Sequence, residues 1–307
     1  MLFALALIPV IALLCFIYFN DKKEKEPIGL LIGLFFAGVG SIIPAIIGEA
    51  IGQAVLNVII PYNSVIKSYI FAILIVGPAE EIGKYLMLRL ITWKSKHFNY
   101  SYDAIVYAVF VSLGFAAIEN VGYVFMNGIG TALLRMFTAV PGHACFAVFM
   151  GYFYSKSKYA KLTRNGKAAG YTVLSLILPI LTHGVYDAII MGARESDFEV
   201  FMGLSALLWI GYVIALFVVS CIIIVKSSRN DFCIVTLPGD LQTVYRPAVA
   251  GTWKCECGTV NYFNFCSECG RQRPANNTTW NCPKCGTLSS YNFCGNCGCP
   301  KPGPQQA

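Results

Sequence analysis

The sequence predicts an all-α polytopic membrane protein with about seven transmembrane helices, followed by a small cysteine-rich β tail. Of its 307 residues, 56% are hydrophobic and only 13% are charged, a composition typical of membrane proteins. The apolar residues form successive runs that reach or exceed the ~20 residues needed to span a bilayer. Eight of the thirteen cysteines fall between Cys255 and Cys297, after the last apolar run.

The apolar runs predict the helices in order. The first run has no charged residue ahead of it and no small-residue cleavage site after it, so we interpret it as a spanning helix and not a signal peptide. After the second helix we expect a partly amphipathic or re-entrant piece that holds Glu49 and Gln53. Glycines at 128 and 130 separate the fourth helix from the fifth. The predicted spans are residues 1–19, 28–46, 66–93, 102–126, 131–154, 169–191 and 201–225.

The basic residues of the loops predict the orientation. Loops after the first, third, fifth and seventh helices are rich in Lys and Arg, whereas those after the second, fourth and sixth have almost none. The positive-inside bias then puts the amino terminus outside and the carboxyl tail in the cytoplasm of a multi-pass cell-membrane protein. The net charge of +7 comes from these loops, so nucleic acid is not an expected partner.

Charged side chains interrupt the third helix near its middle. Glu80, Glu81 and Lys84 lie where a lipid-exposed helix would carry none, at a cost of roughly 2.5–3.5 kcal/mol for each charge at the bilayer centre. Lys84 lies three and four residues beyond the glutamates, on the same helix face. A structural ion pair and a functional site both explain this pattern.

Three more helices carry polar groups at membrane depth. The fourth has Glu119, the fifth has Arg135 and His143, and the sixth has His183 four residues before Asp187. Each residue alone could be a packing residue that joins helices, and Glu119 could simply pair with Arg135. Acids and imidazoles from four helices that converge in an apolar interior are, however, what proton-transfer chemistry requires.

Four motifs, in this order on successive helices, resemble the motif set of the PrsW family of intramembrane proteases, within the superfamily of the CAAX prenyl endopeptidases. The resemblance covers about residues 28–225 and excludes the tail. The motifs are Glu80-Glu81-x-x-Lys84, Phe115-x-x-x-Glu119-Asn120, Gly142-His143 and His183-x-x-x-Asp187.

This resemblance implies an intramembrane endopeptidase that hydrolyses peptide bonds of membrane-anchored proteins, such as single-span regulators in stress signalling. One glutamate of the pair Glu80 and Glu81 would activate the attacking water. An oxyanion donor would be His143 or His183, because an aspartate donates only when it is protonated. The implied catalytic residues are Glu80, Glu81, Glu119, His143, His183 and Asp187.

Other interpretations of the same residues stay open. We favour a metal-free route, and the alternative is one divalent ion held by the carboxylates and imidazoles. A transporter could use the same acids for ion or proton coupling, although the sequence has no inverted internal repeat that would favour it. A third interpretation is a non-catalytic membrane scaffold whose tail binds partners.

The tail contains two copies of a cysteine pattern. In each copy the first two cysteines are separated by one or two residues. Eight residues later a CxxC pair follows, and a glycine comes directly after each pair. Such spacing predicts two structural zinc ribbons with four thiolates each, kept reduced in the cytoplasm. The predicted ligands are Cys255, Cys257, Cys266, Cys269, Cys282, Cys285, Cys294 and Cys297.

The predicted domain organisation follows from these patterns. Residues 1–226 form the transmembrane domain, 227–252 a linker, 253–272 the first zinc ribbon and 280–299 the second. Closed four-cysteine sites leave no open coordination position, so we assign the ribbons to binding of a protein partner or to regulation. The other expected partners are the lipid bilayer and a membrane-anchored substrate.

Overall fold

The computed structural model describes residues 1–163, 165–196 and 199–234 and, in the tail, 253–258, 260–261, 271, 280–283, 285–286 and 288–289. It divides into two compact units, Met1–Leu241 and Gln242–Ala307. In the described part of the first unit the secondary structure is helical throughout, apart from one bridge between Tyr100 and Cys233.

The described residues of the first unit form nine α-helices. Their bounds are α1 Leu2–Asn20, α2 Ile28–Gly40, α3 Ile42–Ile59, α4 Val65–Phe71, α5 Gly77–Thr92, α6 Asp103–Phe137, α7 Ala139–Leu162, α8 Ala168–Arg194 and α9 Glu199–Arg229. Between α4 and α5 a π-helical turn spans Ala72–Val76.

Helix α6 is the centre of the bundle, and small residues let its neighbours approach it closely. A Cβ atom on Gly114 of α6 would lie 2.0 Å from the Phe35 carbonyl oxygen of α2. Reciprocally, a Cβ atom on Gly38 of α2 would lie 1.9 Å from the Val111 carbonyl oxygen. The two backbones are therefore in direct contact, as expected where van der Waals packing replaces the hydrophobic effect in lipid.

We expect Gly114→Ala to destabilise the protein by about 1–3 kcal/mol, the usual range for overpacking, because its new methyl group meets a backbone carbonyl that cannot rotate away. Gly122→Ala on the same helix is the matched control, since no atom lies within 4 Å of a Cβ there. Thermal unfolding in nanodiscs measures both. A melting temperature for Gly114→Ala equal to that of the Gly122→Ala control would contradict this packing.

Helices α6 and α7 form an antiparallel hairpin. The break between them was predicted at glycines 128 and 130, and Gly128 is indeed non-helical, with a φ of 79°. A short helical stretch nevertheless continues to Phe137, so the next long helix begins at Ala139 and not near residue 131. Ser112 donates a hydrogen bond to the His143 carbonyl oxygen at 2.9 Å, which joins the two helices across the bundle.

The second predicted span also ends earlier than expected. It was placed over residues 28–46, but α2 ends at Gly40. Ser41 has a ψ of −7°, and its hydroxyl donates to the Gly38 carbonyl at 2.7 Å. A serine side chain that bonds the preceding turn competes with the helical backbone ladder, and this local contact was not visible in the hydropathy. Helix α3 then carries Glu49 and Gln53.

The predicted central helix, residues 66–93, corresponds to α4, the π-helical turn and α5. This helix packs antiparallel to α8, and three glycines lie at the close contacts between them. A Cβ atom on Gly77 would meet the Ile180 carbonyl oxygen at 2.8 Å, and one on Gly184 would meet the Ile73 Cα atom at 2.8 Å. Further along, Gly192 faces the ring of Tyr69.

Within the described residues, five helical stretches are long and apolar enough to cross a membrane. The protein is thus a mostly helical, multi-pass membrane protein. The five stretches are Leu2–Asn20, Ile28–Ile59, Asp103–Leu162, Ala168–Arg194 and Phe201–Arg229.

Acidic residues cluster in the loop between α1 and α2. Asp21 and Glu26 are 1% and 3% exposed. Burial raises the pKa of Asp21 to about 6, against the attraction of Lys25, and it raises the pKa of Glu26 to about 7. Both carboxyls thus hold their protons to a higher pH in the folded protein than in the unfolded chain.

The free energy of unfolding should therefore fall as the pH rises from about 4 to about 7. Over this window the unfolded chain loses protons that the folded loop retains, and the stabilisation present below the unfolded pKa is lost. Asp21→Asn, which cannot ionise, should flatten this decrease and raise stability at pH 8 relative to the parent protein. Glu195→Gln, an exposed change at the end of α8, should leave the pH profile as it is. Thermal unfolding from pH 4 to 8 compares them, and identical profiles for all three proteins would contradict the effect.

In the tail, the described residues form two short antiparallel hairpins. Strand β1, Trp253–Lys254, pairs with β2, Val260–Asn261. Strand β3, Trp280–Asn281, pairs with β4, Leu288–Ser289. The predicted ligands Cys266, Cys269, Cys294 and Cys297 lie outside the described residues.

Candidate active site

The six residues predicted for the site meet at one buried position inside the bundle. Glu80 and Glu81 come from α5, Glu119 from α6 and His143 from α7. His183 and Asp187 come from α8. The side chains of the first two glutamates and of both histidines are at most 8% exposed, and those of Glu119 and Asp187 are 18% exposed. All six residues named from the sequence therefore lie close together in this cluster.

Local packing explains how α8 reaches the glutamates. Gly184 contacts the π-helical turn directly, and Gly77 contacts the α8 backbone at Ile180. These close approaches bring His183, the neighbour of Gly184, against the first turn of α5. Its Nδ1 atom lies 2.9 Å from the Glu81 Oε1 atom. π-Helical turns are rare and are found frequently at functional sites, and here the turn directly precedes the glutamate pair.

Lys84 is the hub of the cluster. Its ammonium donates to Glu80 at 2.9 Å and to Glu81 at 2.8 Å, and it lies 3.2 Å from the His143 Nδ1 atom. The same ammonium sits 4.1 Å from the centre of the Phe115 ring. Two adjacent carboxylates are therefore neutralised in part by a cation that is completely buried.

The hydrogen bonds fix the tautomer of His143. An ammonium has donors only, so the His143 Nδ1 atom must accept from Lys84. The ring proton is then on Nε2, which donates to the Glu119 Oε2 atom at 2.8 Å. Glu119 in turn pairs with Arg135, whose Nη2 atom is 3.1 Å away. The ion pair considered from sequence thus exists, but it is one end of a longer network.

His183 lies between two acids. Its Nδ1 atom faces Glu81 and its Nε2 atom lies 3.3 Å from the Asp187 Oδ2 atom. Both ring nitrogens can donate to these carboxylates only when the imidazole carries two protons. The ring also stacks on Phe146, with the centroids 4.7 Å apart, which holds its orientation.

Two residues outside the predicted site also belong to its surroundings. Glu49 of α3 is close enough for the charges of Glu119, Asp187 and His183 to act on it. The sequence marked Glu49 only as an acid within an apolar helix, and no motif connected Glu49 to the six predicted site residues. Arg135 completes the network through Glu119 and also donates to Asn120 at 2.8 Å.

Glu80, Glu81, His143 and His183 could together hold a metal ion. Each offers one ligand atom, and these atoms all lie within 4.8 Å of one another. Carboxylate oxygen and imidazole nitrogen are suitable ligands for zinc, and the buried Glu81 Oε2 atom has no hydrogen-bond partner among the described residues. By donor type and spacing the residues fit such an ion, provided that the Lys84 ammonium moves away from them.

Comparison with known proteins shows the family to which the chain is similar. A family model described as "PrsW family intramembrane metalloprotease" matches residues 26–223. Protease PrsW of Halalkalibacterium halodurans is 33% identical over 204 residues, which cover 66% of this chain and 90% of the relative. Protease PrsW of Oceanobacillus iheyensis is 36% identical over 203 residues, 66% of this chain and 88% of the relative.

A relative from a third organism is similar over the same length. Protease PrsW of Bacillus subtilis is 30% identical over 203 residues, again 66% of this chain and 88% of the relative. No solved structure matches the chain with significance. The matched region contains α2 to α8 and most of α9, and hence the whole buried cluster. The chain therefore belongs to the PrsW family of intramembrane proteases, and it is a peptide hydrolase of the membrane.

Proposed function

We propose that Glu80, Glu81, Glu119, His143, His183 and Asp187 are the catalytic residues of this protease and that Glu81 is the general base. The single observation that carries the assignment is their convergence from four helices into one buried network. Glu81 is favoured over Glu80 for two reasons. Its Oε1 atom is held by both Lys84 and His183, which fixes the carboxylate. Its Oε2 atom has no partner among the described residues and can therefore take a proton from water.

The proposed reaction is hydrolysis of a peptide bond in a locally unwound substrate helix. Glu81 takes a proton from water, and the hydroxide attacks the peptide carbonyl carbon. A ring N–H of His183 donates a hydrogen bond to the developing oxyanion, and Asp187 keeps the ring oriented. When the C–N bond breaks, the proton that Glu81 took from water passes to the leaving amine, so that a carboxylic acid and an amine are released. Preorganised donors in a dry site stabilise such charge far more than they would in water.

A divalent metal ion would be held by Glu80, Glu81, His143 and His183 if the family description applies to this chain. When bound, it would act as a Lewis acid and lower the pKa of a water molecule. The metal-free route is the one we favour, because the Lys84 ammonium already provides the central positive charge.

Purified protein in proteoliposomes, with single-span membrane proteins as substrates, tests the proposal. We expect new fragments whose termini lie within or next to the substrate's spanning helix, as mapped by mass spectrometry. Membrane-anchored regulators such as anti-sigma factors are the substrates we propose, with stress signalling as the setting. A protein that moves ions or protons across the vesicle membrane and cuts none of the substrates would favour a transporter.

We also propose seven crossings with the amino terminus outside and the tail in the cytoplasm. The 60-residue stretch Asp103–Leu162 folds back at Gly128 and Thr138, which supports two crossings instead of one. The helix from Val65 to Thr92 is also long enough to cross the membrane. Its charged residues explain why it is not among the five apolar stretches. The excess of Lys and Arg lies in the loops after α1 and α5 and at the carboxyl ends of α7 and α9, which supports this orientation.

Two structural zinc sites, each with four cysteines, are our proposal for the tail. The support is the repeated cysteine spacing and the turn after each first pair: Gly258 donates to the Cys255 carbonyl and Gly286 to the Cys282 carbonyl, both at 2.8 Å. Both glycines have positive φ, 91° and 72°, a conformation that glycine adopts at no steric cost. A protein partner for these ribbons is part of the same proposal.

We expect two zinc ions per chain by atomic emission, and one in Cys282→Ser. Because modules of this size depend on metal for their fold, chelation should make the tail sensitive to proteases while the helical unit stays intact. Cys15→Ser, in α1, is the control and should retain two zinc ions. A metal-free tail that resists protease would contradict the assignment.

A further inference from the structure

A polar cavity of about 260 Å³ lies between α3, α4 and α8, away from the catalytic cluster. Two cations, Lys67 and Arg194, and one anion, Glu195, contribute to its wall, so its lining has a net positive charge. The remaining lining residues are Gln53, Asn63, Ser64, Ser68, Phe71 and Met191.

Lys67 is the unusual residue of this wall. Three lysines are buried in the described part of the chain, and two of them have partners. Lys84 pairs with two glutamates, and Lys158 donates to the Phe98 carbonyl oxygen at 2.9 Å. No described side chain pairs with the ammonium of Lys67, which faces a cavity instead. An unpaired cation in the wall of a cavity whose lining has a net positive charge attracts an anionic ligand.

The cavity is aligned with the catalytic cluster along two helices. The antiparallel pair formed by the α4–α5 helix and α8 places Lys67 beside Arg194 at one end and Glu80 beside His183 near the middle. With a rise of 1.5 Å per residue, Lys67 is about 20 Å along the axis from Glu80. An extended chain at about 3.3 Å per residue covers that distance in roughly six residues.

Helix α3 connects the two places by a polar face. Gln53 lines the cavity, and Glu49, one turn before it, is near enough to the catalytic cluster for the charges of Glu119 and His183 to act on it. Gly48 and Gly52 hold this face against the central helix, because Cβ atoms there would meet Ala79 at 3.3 Å and Ile75 at 2.4 Å. An unwound substrate segment needs a polar path from the cavity to the catalytic residues, because its backbone groups must be hydrogen-bonded. A bound lipid needs no such path, so this polar face favours a substrate segment as the ligand.

We propose that this cavity binds an acidic side chain of the substrate, five to seven residues from the scissile bond, through Lys67 and Arg194. The inference rests on the proposed proteolytic function and adds a specificity determinant to it. The substrate class is a single-span protein with an aspartate or glutamate next to its spanning helix, on the side of the membrane opposite the basic loops.

An aspartate scan of a cleaved single-span substrate tests the proposal. One aspartate is placed at each position from three to nine residues from the mapped cut, on that side. We expect kcat/KM in proteoliposomes to rise about tenfold for positions five to seven, as for a hydrogen-bonded charge pair. Lys67→Met should abolish this preference. Lys161→Met, an exposed lysine at the end of α7, should retain it.

Reversing the charge of one cavity residue tests the same proposal more strictly. Arg194→Glu should prefer a lysine at the same substrate position and disfavour the aspartate. Binding of the same substrates to the Glu81→Gln variant, measured by fluorescence in vesicles, reports on the cavity without cleavage. A preference in binding with no cleavage by the parent protein would support the cavity and contradict the proteolytic function.

Two results would overturn the cavity proposal while leaving proteolysis intact. One is cleavage that is indifferent to aspartate at every position of the scan. The other is an effect of Lys67→Met that depends on anionic phosphatidylglycerol in the vesicles and not on substrate charge, which would assign the cavity to a lipid headgroup.

Discussion

Glu81→Gln should lower kcat for cleavage of a single-span substrate by 10²- to 10⁴-fold, the usual contribution of a general base. The amide has nearly the same shape as the carboxylate but cannot take a proton from water. KM should change little, because Glu81 lies beside the reacting bond and not along the path that binds the substrate helix. Cleavage in proteoliposomes, with fragments quantified over time, measures the loss.

Two other variants show whether the loss of activity is specific to Glu81. Glu80→Gln should lower kcat less, because Glu80 lies 3.8 Å from the His183 Nδ1 atom, compared with 2.9 Å for Glu81. Glu24→Gln, in an exposed loop, should cleave like the parent protein. Full activity in both Glu80→Gln and Glu81→Gln would rule out a catalytic glutamate pair.

Lys84→Met should destabilise the helical unit by about 3–5 kcal/mol, the usual effect of breaking a buried ion pair by removing one partner. The methionine is similar in length, so the effect reports on charge and not on a cavity. Two glutamates would then share an apolar interior with no cation between them, and the ammonium contacts to His143 and Phe115 would also be lost. Thermal or denaturant unfolding in nanodiscs measures this loss.

A double variant separates charge from packing. If the loss arises from uncompensated carboxylates, Glu80→Gln combined with Lys84→Met should recover part of the stability, and the two changes should not be additive. Lys161→Met, which removes an exposed lysine, should be neutral. Additive losses in the double variant would show that Lys84 acts through packing instead.

The helical class and the site residues followed from sequence because they depend on one-dimensional patterns. Apolar runs indicated where the long helices lie, although α2, α6 and α7 end or begin several residues away from the predicted bounds. Acids at membrane depth marked the buried cluster. The membership of His143 and His183 depended on the motif set, since a lone histidine in a helix has no distinctive pattern.

Other features depend on contacts that no local pattern contains. The end of α2 at Gly40 follows from the Ser41 hydroxyl bond, and the helical stretch up to Phe137 follows from packing beyond Gly128. The spacing of Lys84 and the glutamates indicated their ion pair, but the contact of Lys84 with His143 depends on how α7 packs in the bundle. Glu49 joins the surroundings of the site only because Gly48 and Gly52 bring α3 against the central helix.

The widened turn at Ala72–Val76 has a consequence for how this site can change. A π turn contains about one residue more than an α turn, and each residue of a helix accounts for about 100° of rotation. Deleting a single residue there would convert the π turn into an α turn with nearly the same total rotation, so Glu80 and Glu81 would keep their direction relative to the α4 segment. The backbone of Ala72 and Ile73, on which Gly184 packs, would change instead. The extra residue therefore matters for the seat of α8 and not for the direction of the glutamates.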